Sequence, residues 1–576
     1  MRRRCATSVV LLVLLGSACA GGGDQVASEA VPVITESAPS PGTAAGTRTL
    51  RVGIGRDPRS IDPRSVVDAE GEAIARALFE PLVDVGPDGA IIPASAERWT
   101  IEDDGRTYRF HLREQRFHDG RRVTAFDHAR ALLGVFDPTR PPYFREELLG
   151  GLLGALAEPS AEDGATPAED PAQPAEEPPL WADPQQIRAA GGVEVVDELQ
   201  LVVRLSQPDP RFLAALTDVV LMPVPFSALG NAAAFEELPI GNGPFRMLEP
   251  REVGAFVRLV AVEDHHRRPR IDGIVFQVLT GDRDRSARLE GLLAGRLHIA
   301  AIPPERRDLI AREFGIASPD GRGPGLHDRE TAAVYAYAFN MTTAPFDDVR
   351  LRRAIAAAID RDRIAEVVLG GTADAAGALL PPSLIGDETV CGHCRQDVGL
   401  AQELLAQWRA AQPEGSSPLR ITLTYPREGG HVTIAEAIAG DLESVLDIRA
   451  ILRARDLGAY GRDIAAGEAP FFRYGMVAPL AGDAVLSGLL DPAFRSSAPD
   501  TDNWTRWADP TTDRLLDVLR ATPDPMAAAD IARRLVDEAV VIPLLWTRHD
   551  LGVRPEVEGF VLGVTGRWWP ELVSLR

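Results

Sequence analysis

The chain has 576 residues, 45% of them hydrophobic, enough to build a large core and more than one lobe. Its 84 acidic and 61 basic residues leave a formal net charge of -23, which argues against nucleic acid and against a broad polybasic membrane surface. Apart from histidine every basic side chain is arginine, and beyond the first residues no apolar run is long enough to span a membrane.

The chain opens with Arg2-Arg3-Arg4 and an apolar run, Val9 to Leu15, too short for a permanent membrane helix. It reads as the core of a signal peptide, residues 1–18. Gly16-Ser17-Ala18 lead to Cys19, a pattern that looks like a bacterial lipobox. The Cys19 thiol would then carry lipid and begin the mature protein on the outer face of the cytoplasmic membrane. An ordinary secretory signal with an incidental cysteine is the alternative. Residues 19–47 are rich in Gly, Ala, Ser, Thr and Pro and read as a tether.

Alternating apolar residues predict strands at 49–54 and 107–112, with a hairpin from 193–196 to 199–203. Residues 157–179, acidic and Pro/Ala-rich without a basic residue, read as a solvated insertion. Leu351, Ile355 and Ile359 share one helical face behind Asp347 or Asp348. A short helix at 401–408, a strand at 419–425 and a helix at 432–445 follow. Alternating strands and helices imply an α/β architecture.

Signatures of catalysis, G-x-S-x-G, H-E-x-x-H and the phosphate-binding glycine loops among them, are missing from the sequence, so neither an enzyme nor a cofactor is expected. His265-His266 sit in a charged turn, Glu263 to Pro269, which reads as a solvated surface loop rather than a metal site. Cys391-Gly392-His393-Cys394 suits a local disulfide outside the cytoplasm. A redox motif, or a metal site using His393, is the rival reading.

An ordered series of segments resembles the solute-binding proteins of ABC importers in the large peptide/nickel family. Ser60-Ile61-Asp62-Pro63, Leu78-Phe79-Glu80-Pro81-Leu82-Val83 and Pro93-Ala94-Ser95-Ala96-Glu97-Arg98-Trp99 come first. Tyr108-Arg109-Phe110-His111-Leu112-Arg113 and Phe117-His118-Asp119-Gly120 follow. Ile240-Gly241-Asn242-Gly243-Pro244-Phe245 resembles the family's glycine-rich turn, with Asn242 for the usual Thr. Ala338-Phe339-Asn340, Pro345 to Arg350, Ala358 to Arg361 and Ile542-Pro543-Leu544 complete the set.

The resemblance implies a two-lobed periplasmic-binding-protein-like fold of type II, the large peptide-binding class. The first lobe would be 48–339, with an extra subdomain at about 92–195, the second lobe 340–545, and the return 546–576. It implies a monomer that captures a peptide or similar small solute and passes it to an ABC permease. A surface sensor of the same fold is the alternative. The family's ligand-binding G-W-x-A-D segment corresponds here to Arg473-Tyr474-Gly475-Met476-Val477-Ala478-Pro479, where Met476 replaces the Trp and Pro479 the acid. That departure weakens the case for a peptide held by its ammonium and leaves oligosaccharide, opine-like and metal-chelate ligands open. Asp483 is the nearby acid that could substitute. By position in the family, Asp68, Glu70, Asn242, Gly243, Trp546 and Arg548 are further ligand candidates.

Overall fold

The computed structural model describes residues 48–66, 68–136, 192–385, 391–413, 418–427, 430–477, 485–497 and 503–576. The signal, Cys19, the tether, the acidic insertion, Pro479 and Asp483 lie outside these residues. No helix among those described is long and apolar enough to cross a membrane.

Strands form at Thr49–Ile54, Thr107–Leu112, Val193–Asp197, Gln200–Arg204 and Arg420–Pro426, where the alternation predicts them. The helix expected behind Asp347 or Asp348 is Val349–Ala358, and Asp348 caps it by accepting from the Arg350 amide. The cap satisfies one of the helix's unpaired N–H groups.

One sheet of 11 strands runs through the fold. Two long strands, Gly325–Phe339 and Val541–Val553, pair antiparallel at its middle. Their halves serve different neighbours. Leu551 to Val553 pair with Ile299–Ala301, which leads to Thr49–Ile54 and Gly273–Val278. Ala333 to Phe339 pair instead with Phe471–Val477, beside the parallel strands Arg420–Pro426 and Arg449–Arg455. The pairing shifts register between Glu330 and Val334, where the two halves of the sheet meet.

Separate cores back the halves. One joins Leu50, Ile74, Phe79, Phe245 and Phe276. Two others lie on opposite faces of the crossing strands, one around Ala336, Tyr474 and Phe494, the other around Tyr337, Ile355 and Phe471. A small antiparallel sheet, in the order Ala96–Glu102, Thr107–Leu112, Gln200–Arg204, Val193–Asp197, has its own core with Tyr108, Phe110 and Phe212. Phe117 is buried as well.

Candidate functional site

In open α/β sheets the crevice beyond the carboxyl ends of parallel strands is where ligands bind. Here the carboxyl ends of Arg420–Pro426 and Phe471–Val477 come beside the middle strands, with Val477 opposite Ala333 at the register shift between the halves. Strand parity sorts the predicted segment into two faces. Tyr474 and Met476 turn into the core around Phe494, each 5% exposed. Arg473 and Gly475 face the other way. Gly475 lies opposite Tyr335, and Arg473 opposite Tyr337.

The Arg473 guanidinium stacks over the Tyr335 ring at 4.7 Å from its centroid. Gly475 makes room for it, since a Cβ there would lie 2.6 to 2.8 Å from the guanidinium atoms. Arg473 Nε is buried with no hydrogen-bond partner, and among the described residues no carboxylate pairs with this side chain. The Tyr335 hydroxyl is bonded to His431 Nδ1 at 3.0 Å, at the start of helix His431–Leu446. Burial pushes the Tyr335 hydroxyl up to about 12 although Arg473 pulls the other way, so it stays protonated. Tyr460 donates its hydroxyl proton to the Arg473 carbonyl. Arg473 thus stands on an aromatic floor beside a helix N-terminus, and both the guanidinium and the helix end favour negative charge.

The other candidates fall elsewhere. Asp68 caps helix Ala69–Leu78, accepting from the Gly71 amide at 2.8 Å and the Arg59 amide at 3.0 Å, and Glu70 lies in that helix's first turn. Asn242 is fully buried. Its Oδ1 accepts the Glu80 N–H at 2.9 Å and its Nδ2 donates to the Glu80 carbonyl at 3.1 Å. Gly243 packs against backbone, since a Cβ would lie 2.6 Å from the Leu78 carbonyl carbon. Trp546 donates its indole N–H to the Ala378 carbonyl at 3.2 Å. Arg548 is bonded to both Asp328 and Asp374, across the strands at the crossing. Cys391 and Cys394 form a disulfide with Cα atoms 5.1 Å apart, and the buried His393 is bonded to the Val536 carbonyl at 2.7 Å.

His265 and His266 correct an expectation. The turn is solvated only in part: Glu263, Asp264, His266 and Arg268 are exposed, but His265 is not. His265 is 9% exposed, and His266 Nε2 bonds both oxygens of the buried Glu80 carboxylate at 2.8 and 2.9 Å. The turn folds inward because Arg267 follows, bridging Glu80 at 2.6 Å and Asp84 at 2.7 Å. Burial raises the Glu80 pKa, but Arg267 and then His266 outweigh it and hold the carboxyl at about 2. The ligand atoms of Glu80, His265 and His266 lie within 4.8 Å of one another, a spacing a metal ion could bridge. Their bonding does not fit one. His265 Nδ1 accepts the Arg267 N–H at 3.1 Å, so the neutral ring carries its proton on Nε2, aimed at the Asn242 carbonyl. Both Glu80 oxygens are already shared among Arg267, His266 and Gln115. Beside this network lies a cavity of about 740 Å³. Its Gln115, His118 and His265 are bonded to the Gly241 to Gly243 turn.

Two α/β halves with separate cores, joined by a pair of crossing strands, define a two-lobed fold of the periplasmic-binding-protein kind. The profile of the bacterial extracellular solute-binding proteins, family 5 (middle region), matches residues 90–493, and the chain belongs to that family. It is 26% identical over 549 residues to a probable deoxycholate-binding periplasmic protein, YgiS, of Escherichia coli, covering 92% of this chain and 94% of that one. It is 27% identical over 585 residues to di/tripeptide-binding protein 2 of Pseudomonas aeruginosa, covering 97% of each. The structure of the E. coli murein tripeptide binding protein MppA aligns with a TM-score of 0.67 at 22% identity, over 92% of this chain and 99% of that one.

Proposed function

We propose that this chain is an extracytoplasmic binding protein, tethered through lipid on Cys19, that closes two lobes over a small solute bearing a carboxylate and delivers it to an ABC permease. It works as a monomer, by binding rather than catalysis. The crossing near Glu330 to Val334 and Trp546 to Arg548 serves as the hinge.

Arg473 carries the reading. A half-buried guanidinium with no acid partner is costly to keep unless something supplies the negative charge. A ligand carboxylate supplies it in bidentate geometry. Peptide is the default from the relatives. Deoxycholate, which the E. coli relative's name gives as its ligand, has a carboxylate and no ammonium. A carboxylate anchor accommodates both, and it does not need the acid that Pro479 replaces.

The test is a thermal-shift panel of trialanine, N-acetyl-trialanine, trialanine amide, deoxycholate, maltotriose and a nickel chelate, since a ligand that binds only the folded state raises the melting temperature. Trialanine and N-acetyl-trialanine, or deoxycholate, should stabilise the protein, and Arg473→Gln should abolish the shift. Stabilisation by trialanine amide or maltotriose equal in size and indifferent to Arg473→Gln would overturn the carboxylate reading.

A further inference from the structure

Away from the crossing strands, one ion pair among the described residues joins the first half to the second. Arg211 precedes helix Phe212–Ala215, whose Phe212 belongs to the core of the small antiparallel sheet. Asp491 lies in helix Val485–Phe494, packed on the core around Tyr474. Arg211 Nη1 donates to Asp491 Oδ2 at 3.1 Å across 280 residues of sequence.

The partners on each side matter more than the pair itself. Asp491 is only 2% exposed, yet within its own half it accepts from Arg495 Nε at 2.6 Å and from Arg520 Nε at 3.0 Å. Arg211 chelates Asp209 in its own half, Nε to Oδ1 at 3.0 Å and Nη2 to Oδ2 at 2.8 Å. Tyr108 steadies that segment, its ring 4.7 Å from Phe212 and its hydroxyl bonded to the Asp209 carbonyl. Breaking a buried pair is costly chiefly because it strands an unpaired charge. Here neither side is stranded. When the halves part, Arg211 keeps Asp209, and Asp491 keeps Arg495 and Arg520. The cost of opening falls to that of one charge-assisted hydrogen bond, small enough to be reversible and large enough to bias an equilibrium.

We propose that Arg211 and Asp491 form a latch that holds the ligand-free protein part of the time with its halves together, so that Arg211 sets ligand affinity without touching ligand. The inference rests on the reading that binding and closure go together. Apparent affinity then scales with the fraction of closed protein. Losing the latch lowers the closed-to-open ratio on the order of tenfold.

The experiment needs no ligand. Small-angle X-ray scattering and hydrogen exchange are recorded on the purified full chain as wild type, Arg211→Gln and Asp209→Asn. Arg211→Gln should raise the radius of gyration and speed exchange in residues 206–216 and 485–495, with an unchanged melting temperature showing that both halves stay folded. Asp209→Asn removes the local partner, keeps the latch, and should leave the radius of gyration no larger than wild type. Wild type itself should expand as salt rises from about 20 mM to about 500 mM, because screening weakens the pair. Superimposable scattering for wild type and Arg211→Gln at both salt concentrations would overturn the latch. A latch that fails here while carboxylates still stabilise the protein leaves the binding reading standing, and the reverse outcome separates the two in the other direction.

Discussion

Asn242→Ala separates a scaffold role from a ligand role at the most buried of the predicted site residues. The side chain is 0% exposed and Glu80 is 1% exposed, so water cannot replace the lost bonds. The substitution orphans the Glu80 N–H, now 2.9 Å from Asn242 Oδ1, and removes one donor from the Glu80 carbonyl at 3.1 Å. It also removes longer contacts to Ser95 Oγ at 3.3 Å and Gln115 Oε1 at 3.4 Å. A buried polar group left unpaired costs about 1–3 kcal/mol, the amide more reliably than the carbonyl, so the expected loss is about 3 kcal/mol. For a cooperative unit of about 500 residues that is on the order of 3 °C in melting temperature. Asn231→Ala is the control. Asn231 caps a surface helix through one bond to the Ala234 amide at 3.1 Å, and its loss should cost about 1 kcal/mol or less. Urea unfolding of the three proteins gives the comparison. Dissociation constants for the carboxylate that stabilises wild type should agree within about twofold, since no new charge reaches the crevice. An Asn242→Ala protein as stable as Asn231→Ala, or one of unchanged stability that no longer binds, would refute the assignment.

Gly475→Ala should push the guanidinium off Tyr335, because the new Cβ would sit 2.6 to 2.8 Å from it; carboxylate affinity should drop on the order of tenfold in calorimetric titration while the melting temperature barely moves. His128 is 1% exposed with neither ring nitrogen bonded, and burial lowers its pKa to about 4. The unfolded chain takes up that proton near pH 6.5 and the folded chain only near 4, so this residue's contribution is complete above about pH 6.5 and is lost as pH falls, by about 3 kcal/mol. His128→Leu should flatten that acid limb in urea midpoints measured at about pH 7 and pH 4.5; an equal pH dependence in both proteins would show the group plays no part. Cys19→Ala should move the protein from the membrane fraction to the soluble extract, and unchanged membrane retention would remove the lipid tether from the mechanism.

Local pattern made much of this fold readable. Thr107 to Leu112 alternate as a half-buried strand must, and Asp348 precedes an apolar helical face as a cap must. What the pattern lacked was the partner across the chain. His265 and His266 stand among Glu263, Asp264, Arg267 and Arg268, which locally means solvent. His265 is buried, and the exposed His266 reaches inward, because Glu80, 186 residues from His266, draws both and Arg267 to its carboxylate. The clue was Glu80 itself, an acid inside the apolar segment Leu78-Phe79-Glu80-Pro81-Leu82-Val83. At 473–476 the family resemblance names a segment but not how its two faces divide. Strand parity supplies that division, with Arg473 and Gly475 on one face and Tyr474 and Met476 on the other.

The other arginines of this chain show how Arg473 differs from those committed to the scaffold. Arg267 meets three carboxylates, of Glu80, Asp84 and Glu571, and Arg548 meets two, of Asp328 and Asp374. Their charges are spent on the scaffold. Arg352 and Arg361 lack carboxylate bonds but give their protons to backbone carbonyls, Arg352 to Phe346, Glu538 and Ala539, Arg361 to Ala356, Ile359 and Pro543. Burial lowers the pKa of these two to about 10 and about 9. Arg473 fits neither group. It has a ring beneath it, a glycine cut away beside it and a buried Nε with nothing to bond. A scaffold arginine arranged that way would lose more by desolvation than it returns. If Arg473 anchors a carboxylate as proposed, Arg473→Met should leave the ligand-free protein at least as stable as wild type and should remove the gain in stability that a carboxylate confers. A large loss of stability in the ligand-free protein would place Arg473 with the scaffold instead.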